Sequence, residues 1–164
     1  MSKHKNIIYL VVFLSAAYSF LGFNFGFNIF DEGMVVYGAQ RILQGDIPFR
    51  DFWVYYPPGQ FWLVAALFKL FGSKLIVEHI FSVIIHCAVS VVIYLIARKL
   101  VSWKTALLPW FLTLLWINTY NFASPTPPAM LFSLSSSLFL LKFFFEKDNR
   151  CLVIAGLLAG LALL

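Results

Sequence analysis

Charged residues are scarce in this chain. Only 12% of its 164 residues are Asp, Glu, Lys or Arg, whereas 62% are hydrophobic. A water-soluble domain needs more polar surface, so the composition excludes that class and predicts an integral membrane protein. The formal net charge of +5 would suggest a nucleic-acid partner in a soluble protein. Because the basic residues cluster beside apolar segments, we expect them to meet membrane lipids and to set the topology, with no nucleic-acid partner.

Cysteine and histidine are also rare. Cys87 and Cys151 both fall in apolar segments, so the pattern excludes a disulfide framework and indicates that both are packing residues. The three histidines are too far apart along the chain to predict a zinc site. A divalent ion at the adjacent acids Asp31 and Glu32 stays open as a cofactor, although the sequence supplies no further ligand for it.

Long apolar segments make up most of the chain and predict an all-α fold, a polytopic bundle of transmembrane helices. We expect spans at 7–27, 75–97, 105–123 and 129–145, and a truncated span at 151–164. The first follows a basic N-terminus and lacks a cleavage site with small residues, which indicates an uncleaved signal anchor. The last is too short to cross a bilayer. We therefore expect residues 1–164 to be the N-terminal part of one larger membrane domain, inactive alone.

The segment 59–72 decides the topology. It is short, contains Lys69 and follows two prolines, so we interpret it as a re-entrant or interfacial helix and not as a span. Residues 28–74 then form the first extracytoplasmic loop. This arrangement places the N-terminus and most other basic residues on the cytoplasmic side, as the positive-inside rule requires. These basic residues are Arg98, Lys99, Lys104, Lys147 and Arg150.

An amphipathic helix is predicted directly after Asp31 and Glu32. Asp31 can cap its N-terminus and Gly45 can end it. Its helical spacing predicts one apolar face, formed by Val35, Val36, Ala39, Ile42 and Leu43. The helix is too short to span a bilayer, so we expect it to lie in the interface plane.

The acidic pair supports two interpretations. Asp31 is either an N-cap that complements the helix dipole or a general base held near a membrane-embedded substrate. One cap needs only one carboxylate, and neighbouring like charges raise one pKa toward a value useful to a base. These arguments do not decide between the two.

Other residues of the loop are candidate ligands for a lipid-linked sugar. Arg41 and Arg50 either form a solvated network with Asp51 or bind phosphate through their guanidinium groups. Tyr56 belongs to a cluster of aromatic residues that either anchors the loop in the interface or stacks on a sugar ring.

A polar stripe runs along the predicted span 75–97. Polar residues recur there every four positions, at Glu78, Ser82, His86 and Ser90. Such a stripe faces the bundle interior and favours hydrogen bonds between helices. Glu78 and His79 lie at its outer end, where they can support the site or bind phosphate.

The order of these elements resembles the first outer loop of GT-C membrane glycosyltransferases, in particular the bacterial RgtA/B/C/D-like, ArnT-like and protein-mannosyltransferase-like group. The likeness covers 1–145 and is strongest over 30–72: an acidic pair after the first span, a YGAQRILQG helix, a proline pair and a short helix ending in LFG. Two features depart from that group. The second outer loop, which we expect at 118–128, lacks an acid, and His79 occupies a position that is commonly basic.

The resemblance implies an enzyme of the bacterial plasma membrane that transfers a sugar from a polyprenyl-phosphate donor, with inversion. The acceptor is a hydroxyl of a glycan, lipid or protein on the extracytoplasmic face. It implies Asp31 as catalytic base, with Glu32, Arg41, Arg50, Tyr56 and His79 as substrate or phosphate ligands. A transporter or flippase of lipid-linked sugars and a non-catalytic membrane scaffold remain the alternatives.

Overall fold

The computed structural model describes residues 2–21, 30–117 and 126–163. These residues form seven α-helices and no β-strand, which confirms the all-α prediction. The helices are α1 (Ser2–Leu21), α2 (Asp31–Leu43), α3 (Gly59–Phe71), α4 (Leu75–Leu100), α5 (Trp103–Ile117), α6 (Thr126–Glu146) and α7 (Asn149–Leu161).

The helix bounds follow the predicted segments closely. Among the described residues, α4 and α6 are long and apolar enough to cross a membrane, and α1, α3, α5 and α7 contain shorter apolar helices. The predicted spans 7–27 and 105–123 run on into residues 22–29 and 118–125, which lie outside the described residues. The first turn of α6 holds two of the prolines of the second outer loop, where the missing N–H groups cost no helical hydrogen bond.

Helix α4 is the centre of the bundle and packs against α1, α3, α5 and α6. Ser90 Oγ donates a hydrogen bond to Ser15 Oγ of α1 at 3.0 Å, and Trp110 Nε1 of α5 donates to the same oxygen at 2.9 Å. Hydrogen bonds between helices were predicted for the polar stripe, and Ser90 makes one. Around this junction the apolar side chains of Val11 and Tyr94 pack in one buried cluster.

Helices α2 and α3 form a hairpin with its own apolar core. Val35, Ala39 and Ile42 of α2 pack against the face of α3 that carries Phe61 and Phe68. The predicted apolar face is therefore correct at its centre. Leu43, which was placed on that face, is 40% exposed, because the face is centred on the 35/39/42 line and Leu43 lies at its edge.

The ends of α2 differ in how well the sequence predicted them. Phe30 holds the N-cap position and Asp31 is the first residue of the helix, so the prediction of Asp31 as N-cap is wrong. In this position its carboxylate still lies at the positive end of the helix dipole. Gly45 ends the helix as predicted: it has φ +100°, a conformation that glycine adopts without strain, and its N–H donates to the Ile42 carbonyl at 3.0 Å.

Basic residues gather at one end of the bundle. Lys99, near the end of α4, forms an ion pair of 2.6 Å with Glu146 at the end of α6. The starts of α5 and α7 lie close to these two residues in the chain and bring Lys104 and Arg150 to the same end. The hairpin of α2 and α3 joins the opposite end of α4, through its first turns.

Gly38 of α2 is packed tightly against Phe61 of α3. A Cβ atom built there would lie 2.4 Å from Phe61 Cδ1 and 3.3 Å from Phe52 Cε2. We therefore expect Gly38→Ala to lower the free energy of unfolding by about 1–3 kcal/mol, measured by thermal unfolding in detergent.

The matched control is Gly156→Ala, since a Cβ atom at this glycine of α7 meets nothing within 4 Å. We expect no loss of stability there, and partial recovery of Gly38→Ala when Phe61→Leu is added. A Gly38→Ala protein as stable as the wild type would contradict the close packing of α2 on α3.

Candidate functional site

Asp31 and Tyr56 meet at the end of the bundle where the hairpin of α2 and α3 joins α4. Asp31 begins α2 and Tyr56 lies just before α3, and the Tyr56 phenol donates a hydrogen bond to Asp31 Oδ1 at 3.1 Å. Both side chains are half-buried. The hydrogen bond to the carboxylate, assisted by burial, raises the pKa of Tyr56 above its usual range, so the phenol stays a donor at neutral pH. Asp31 is thus held in one orientation while it remains partly accessible.

The neighbouring acid, Glu32, points the other way, into the protein. Its carboxylate Oε1 contacts Nε2 of His79 on α4, and the two side chains are 1% and 5% exposed. Glu78, the residue before His79, is fully buried, and its Oε1 accepts a hydrogen bond from Ser82 Oγ at 2.7 Å. This buried group attaches the start of α2 to the start of α4, directly behind Asp31.

Arg41 is enclosed by the loop that follows α2. Its Nε donates to Asp46 Oδ2 at 2.5 Å, and its Nη2 donates to the backbone carbonyl of Asp51 at 3.3 Å. The guanidinium also lies over the rings of Phe52 and Tyr37, with its central carbon 5.1 and 5.9 Å from their centroids. This environment raises the pKa of Arg41, chiefly through the Asp46 hydrogen bond, and the side chain is permanently charged.

Arg50 pairs with its neighbour Asp51. Its Nη2 donates to Asp51 Oδ2 at 2.7 Å, and the Arg50 side chain is 64% exposed. The same carboxylate accepts the Ile47 backbone N–H at 2.8 Å and closes the turn. Phe49 in this turn has φ 65°, which is uncommon for a residue other than glycine, and its N–H donates to the Phe52 carbonyl at 2.9 Å.

The predicted site residues therefore fall into two groups. Asp31, Glu32, Tyr56 and His79 gather at the start of α2. Arg41 lies ten residues further along the same helix, about 15 Å away at the helical rise, and Arg50 is in the turn beyond it. The solvated network predicted for the two arginines and Asp51 is present, with Asp46 as an additional member that the sequence analysis did not include.

Aromatic side chains border the site. Trp53 and Tyr55 are 68% and 70% exposed, and their rings meet edge to face with centroids 4.2 Å apart. Exposed aromatic rings of this kind suit both an interfacial anchor and a surface for a sugar ring, the two interpretations made from the sequence.

A largely apolar cavity of about 380 Å³ opens beside Tyr56. Gln60 and Leu63 of α3 line one side, and Thr126 and Phe132 of α6 line another. Since Tyr56 both lines this cavity and bonds Asp31, the cavity adjoins the acid. The start of α6 belongs to the predicted second outer loop, so the structure brings the two predicted outer loops together, as far as the described residues extend.

From the sequence, Glu78 was expected to support the site or to bind phosphate, and Glu32 was not connected with His79. The two residues are separated by 47 positions, and only the packing of α2 on α4 brings them together. The one available signal was the position of Glu78 and His79 in the first turn of a span, where ionisable groups face the protein interior.

The chain was compared with known proteins. The family model described as dolichyl-phosphate-mannose-protein mannosyltransferase matches residues 55–164, about two thirds of the chain. The match includes Tyr56, Glu78 and His79 and begins after the segment that holds Asp31 and Glu32. No curated protein and no solved structure matches the chain.

The turn after α2 has a measurable pH dependence. The Arg50 guanidinium and the Ile47 N–H hold the pKa of Asp51 at about 2, below its usual 3.8. A lowered pKa in the folded state means that the carboxylate stabilises the turn above its ordinary pKa and that this contribution is lost as the pH falls toward 2.

We expect hydrogen exchange, measured by mass spectrometry, to show residues 44–53 protected at pH 4 and losing protection only as the pH approaches 2. Asp51→Asn should remove this protection at every pH. Loss of protection near pH 4 in the wild type would contradict the Arg50–Asp51 pairing.

Proposed function

Because the chain belongs to the dolichyl-phosphate-mannose-protein mannosyltransferase family, we propose that it transfers a sugar from a polyprenyl-phosphate donor to an acceptor hydroxyl at the extracytoplasmic membrane surface. One observation carries the proposal. The carboxylate of Asp31 is partly accessible, is held by a hydrogen bond from Tyr56 and lies beside an apolar cavity. Such a cavity suits a substrate with an isoprenoid tail, and a carboxylate at its edge suits proton transfer from an alcohol.

The reaction is a displacement at the anomeric carbon. The acceptor oxygen attacks that carbon while Asp31 Oδ takes the hydroxyl proton. The bond between the anomeric carbon and the phosphate oxygen breaks, and the polyprenyl phosphate leaves from the opposite face with the electron pair. A single displacement inverts the anomeric configuration. A phosphate is a stable leaving group, so the step needs one base and no general acid.

Tyr56 has a positioning role in this mechanism. Its hydrogen bond to Asp31 Oδ1 fixes the orientation of the carboxylate that would accept the proton. Orientation of a base by a neighbouring donor improves the geometry of proton transfer without changing the chemistry. Glu32 and His79 hold the backbone of Asp31 from behind.

The arginines have a separate proposed role. Arg50 is exposed and forms its ion pair with the neighbouring Asp51, so its guanidinium can exchange that partner for a phosphate. Arg41 stabilises the same turn through its hydrogen bonds to Asp46 and to the backbone carbonyl of Asp51. Both lie toward the far end of α2 from Asp31, and we assign them to attraction and docking of the donor phosphate at the membrane surface.

One observation favours transport as the second candidate function. The polar stripe of α4, from Glu78 to Ser90, covers about 18 Å of helix length, and polar groups through the bilayer depth are typical of transporters. Its members are buried, however, and Ser90 is bonded to α1. Within the part of the chain that the structure describes, the stripe therefore acts as a contact between helices.

We expect Asp31→Asn to reduce sugar transfer by about a thousandfold or more, because the amide cannot accept the proton. Tyr56→Phe should retain the base and lose about tenfold to a hundredfold. The measurement uses the complete protein in liposomes with labelled polyprenyl-phosphate sugars and crude envelope acceptors.

The control is Glu146→Gln, which also neutralises one acid but at the opposite end of the bundle, and it should leave sugar transfer unchanged. Full turnover by Asp31→Asn would rule out Asp31 as the base. If neither the wild type nor Asp31→Asn transfers sugar but lipid-linked sugar crosses the bilayer, the result favours the transport function.

A further inference from the structure

Behind the proposed base, three side chains with metal-binding atoms come together in the protein interior. Glu32 of α2 and Glu78 and His79 of α4 each place one ligand atom within 4.8 Å of the others. All three residues are buried, with exposed fractions of 1%, 0% and 4%. We propose that they bind a divalent transition-metal ion of the zinc class, which fastens the start of α2 to the start of α4.

The three ligand atoms are close enough to bind such an ion after small movements of their side chains. Zinc binds carboxylate oxygen and imidazole nitrogen at about 2.0–2.2 Å, which separates tetrahedral ligand atoms by about 3.4 Å. Glu32 Oε1 and His79 Nε2 are already in contact, so an ion between them would widen that pair. A pair of ligand atoms as far apart as the 4.8 Å limit would have to close by about 1.4 Å to reach that separation. Two carboxylates and one histidine are also the ligand types of known zinc and manganese sites.

A second observation points to a ligand at the same place. Glu78 Oε2 is buried and has no hydrogen-bond partner among the described residues, although its sister atom Oε1 accepts from Ser82. A buried carboxylate oxygen without a partner is costly, because it has lost its water and gained nothing in exchange. A bound cation would satisfy this lone pair.

The ligand types of the group also suit a divalent cation. Two of the three side chains are carboxylates and the third is an imidazole, which together are ligands of divalent transition-metal ions.

The proposed metal site is distinct from the proposed reaction and does not rest on it. The ion would be coordinated behind Asp31 and would position that residue through the backbone of α2. It would contact neither donor nor acceptor. Sequence analysis had left open an ion at Asp31 and Glu32, whereas the grouped ligands here exclude Asp31 and add Glu78 and His79.

The test measures metal directly in the complete protein, purified in detergent. We expect elemental analysis by inductively coupled plasma mass spectrometry to find about one zinc ion per chain. After chelation, Zn²⁺ alone should raise the melting temperature, with Mn²⁺ as a weaker substitute. Glu78→Gln and His79→Gln should weaken the binding by about tenfold or more.

Two further variants distinguish this site from the reaction. Glu146→Gln is the matched control, because it removes an acid at the opposite end of the bundle and should leave metal binding unchanged. Asp31→Asn should bind the ion normally even though it transfers no sugar. The proposal is overturned if wild-type protein holds no metal and its melting temperature ignores both ions, or if Glu78→Gln binds zinc as tightly as wild type.

Discussion

Along α4, polar side chains recur every four residues, at Glu78, Ser82, His86 and Ser90, and all four are buried. Polar groups in an apolar surrounding must find partners inside the protein, so this face fixes which elements pack around α4. At its lower end Ser90 meets Ser15, which ties α1 and, through Trp110, α5 to α4. At its upper end Glu78 and His79 meet Glu32. The position of Asp31, one residue away, depends on that last contact.

Charged side chains lie at both ends of the bundle, and the proposed site is at the end that holds Asp31. The Lys99–Glu146 pair marks one end, where Lys104 and Arg150 also lie. The opposite end holds Asp31, Tyr56 and the turn with Arg50. A reaction on a lipid-linked substrate has to take place where the lipid headgroup meets water, and this second end combines a partly accessible carboxylate with an adjoining apolar cavity.

Much of the fold was predictable from the sequence, because hydropathy and the prolines and glycines that end helices act locally. Helix α2, which ends just before Gly45, and the short helix α3 after Pro58 follow from such signals. The Glu32–His79 contact did not, since it joins residues 47 positions apart and depends on how α2 packs. The N-cap was also missed: the chain enters α2 one residue earlier than the capping preference of Asp31 indicates. The roles of Asp31 and its partners in catalysis remain predictions.

The orientation of the bundle is the most direct test of this account. In a protein with Cys87→Ser and Cys151→Ser, a new cysteine would be placed either at Trp53 in the loop or at Lys104 at the basic end; both positions are exposed. Intact cells would be treated with a membrane-impermeant maleimide. The account predicts that Trp53→Cys is labelled in intact cells and Lys104→Cys only after permeabilisation. Labelling of Lys104→Cys alone in intact cells would put the proposed site on the cytoplasmic side and contradict it.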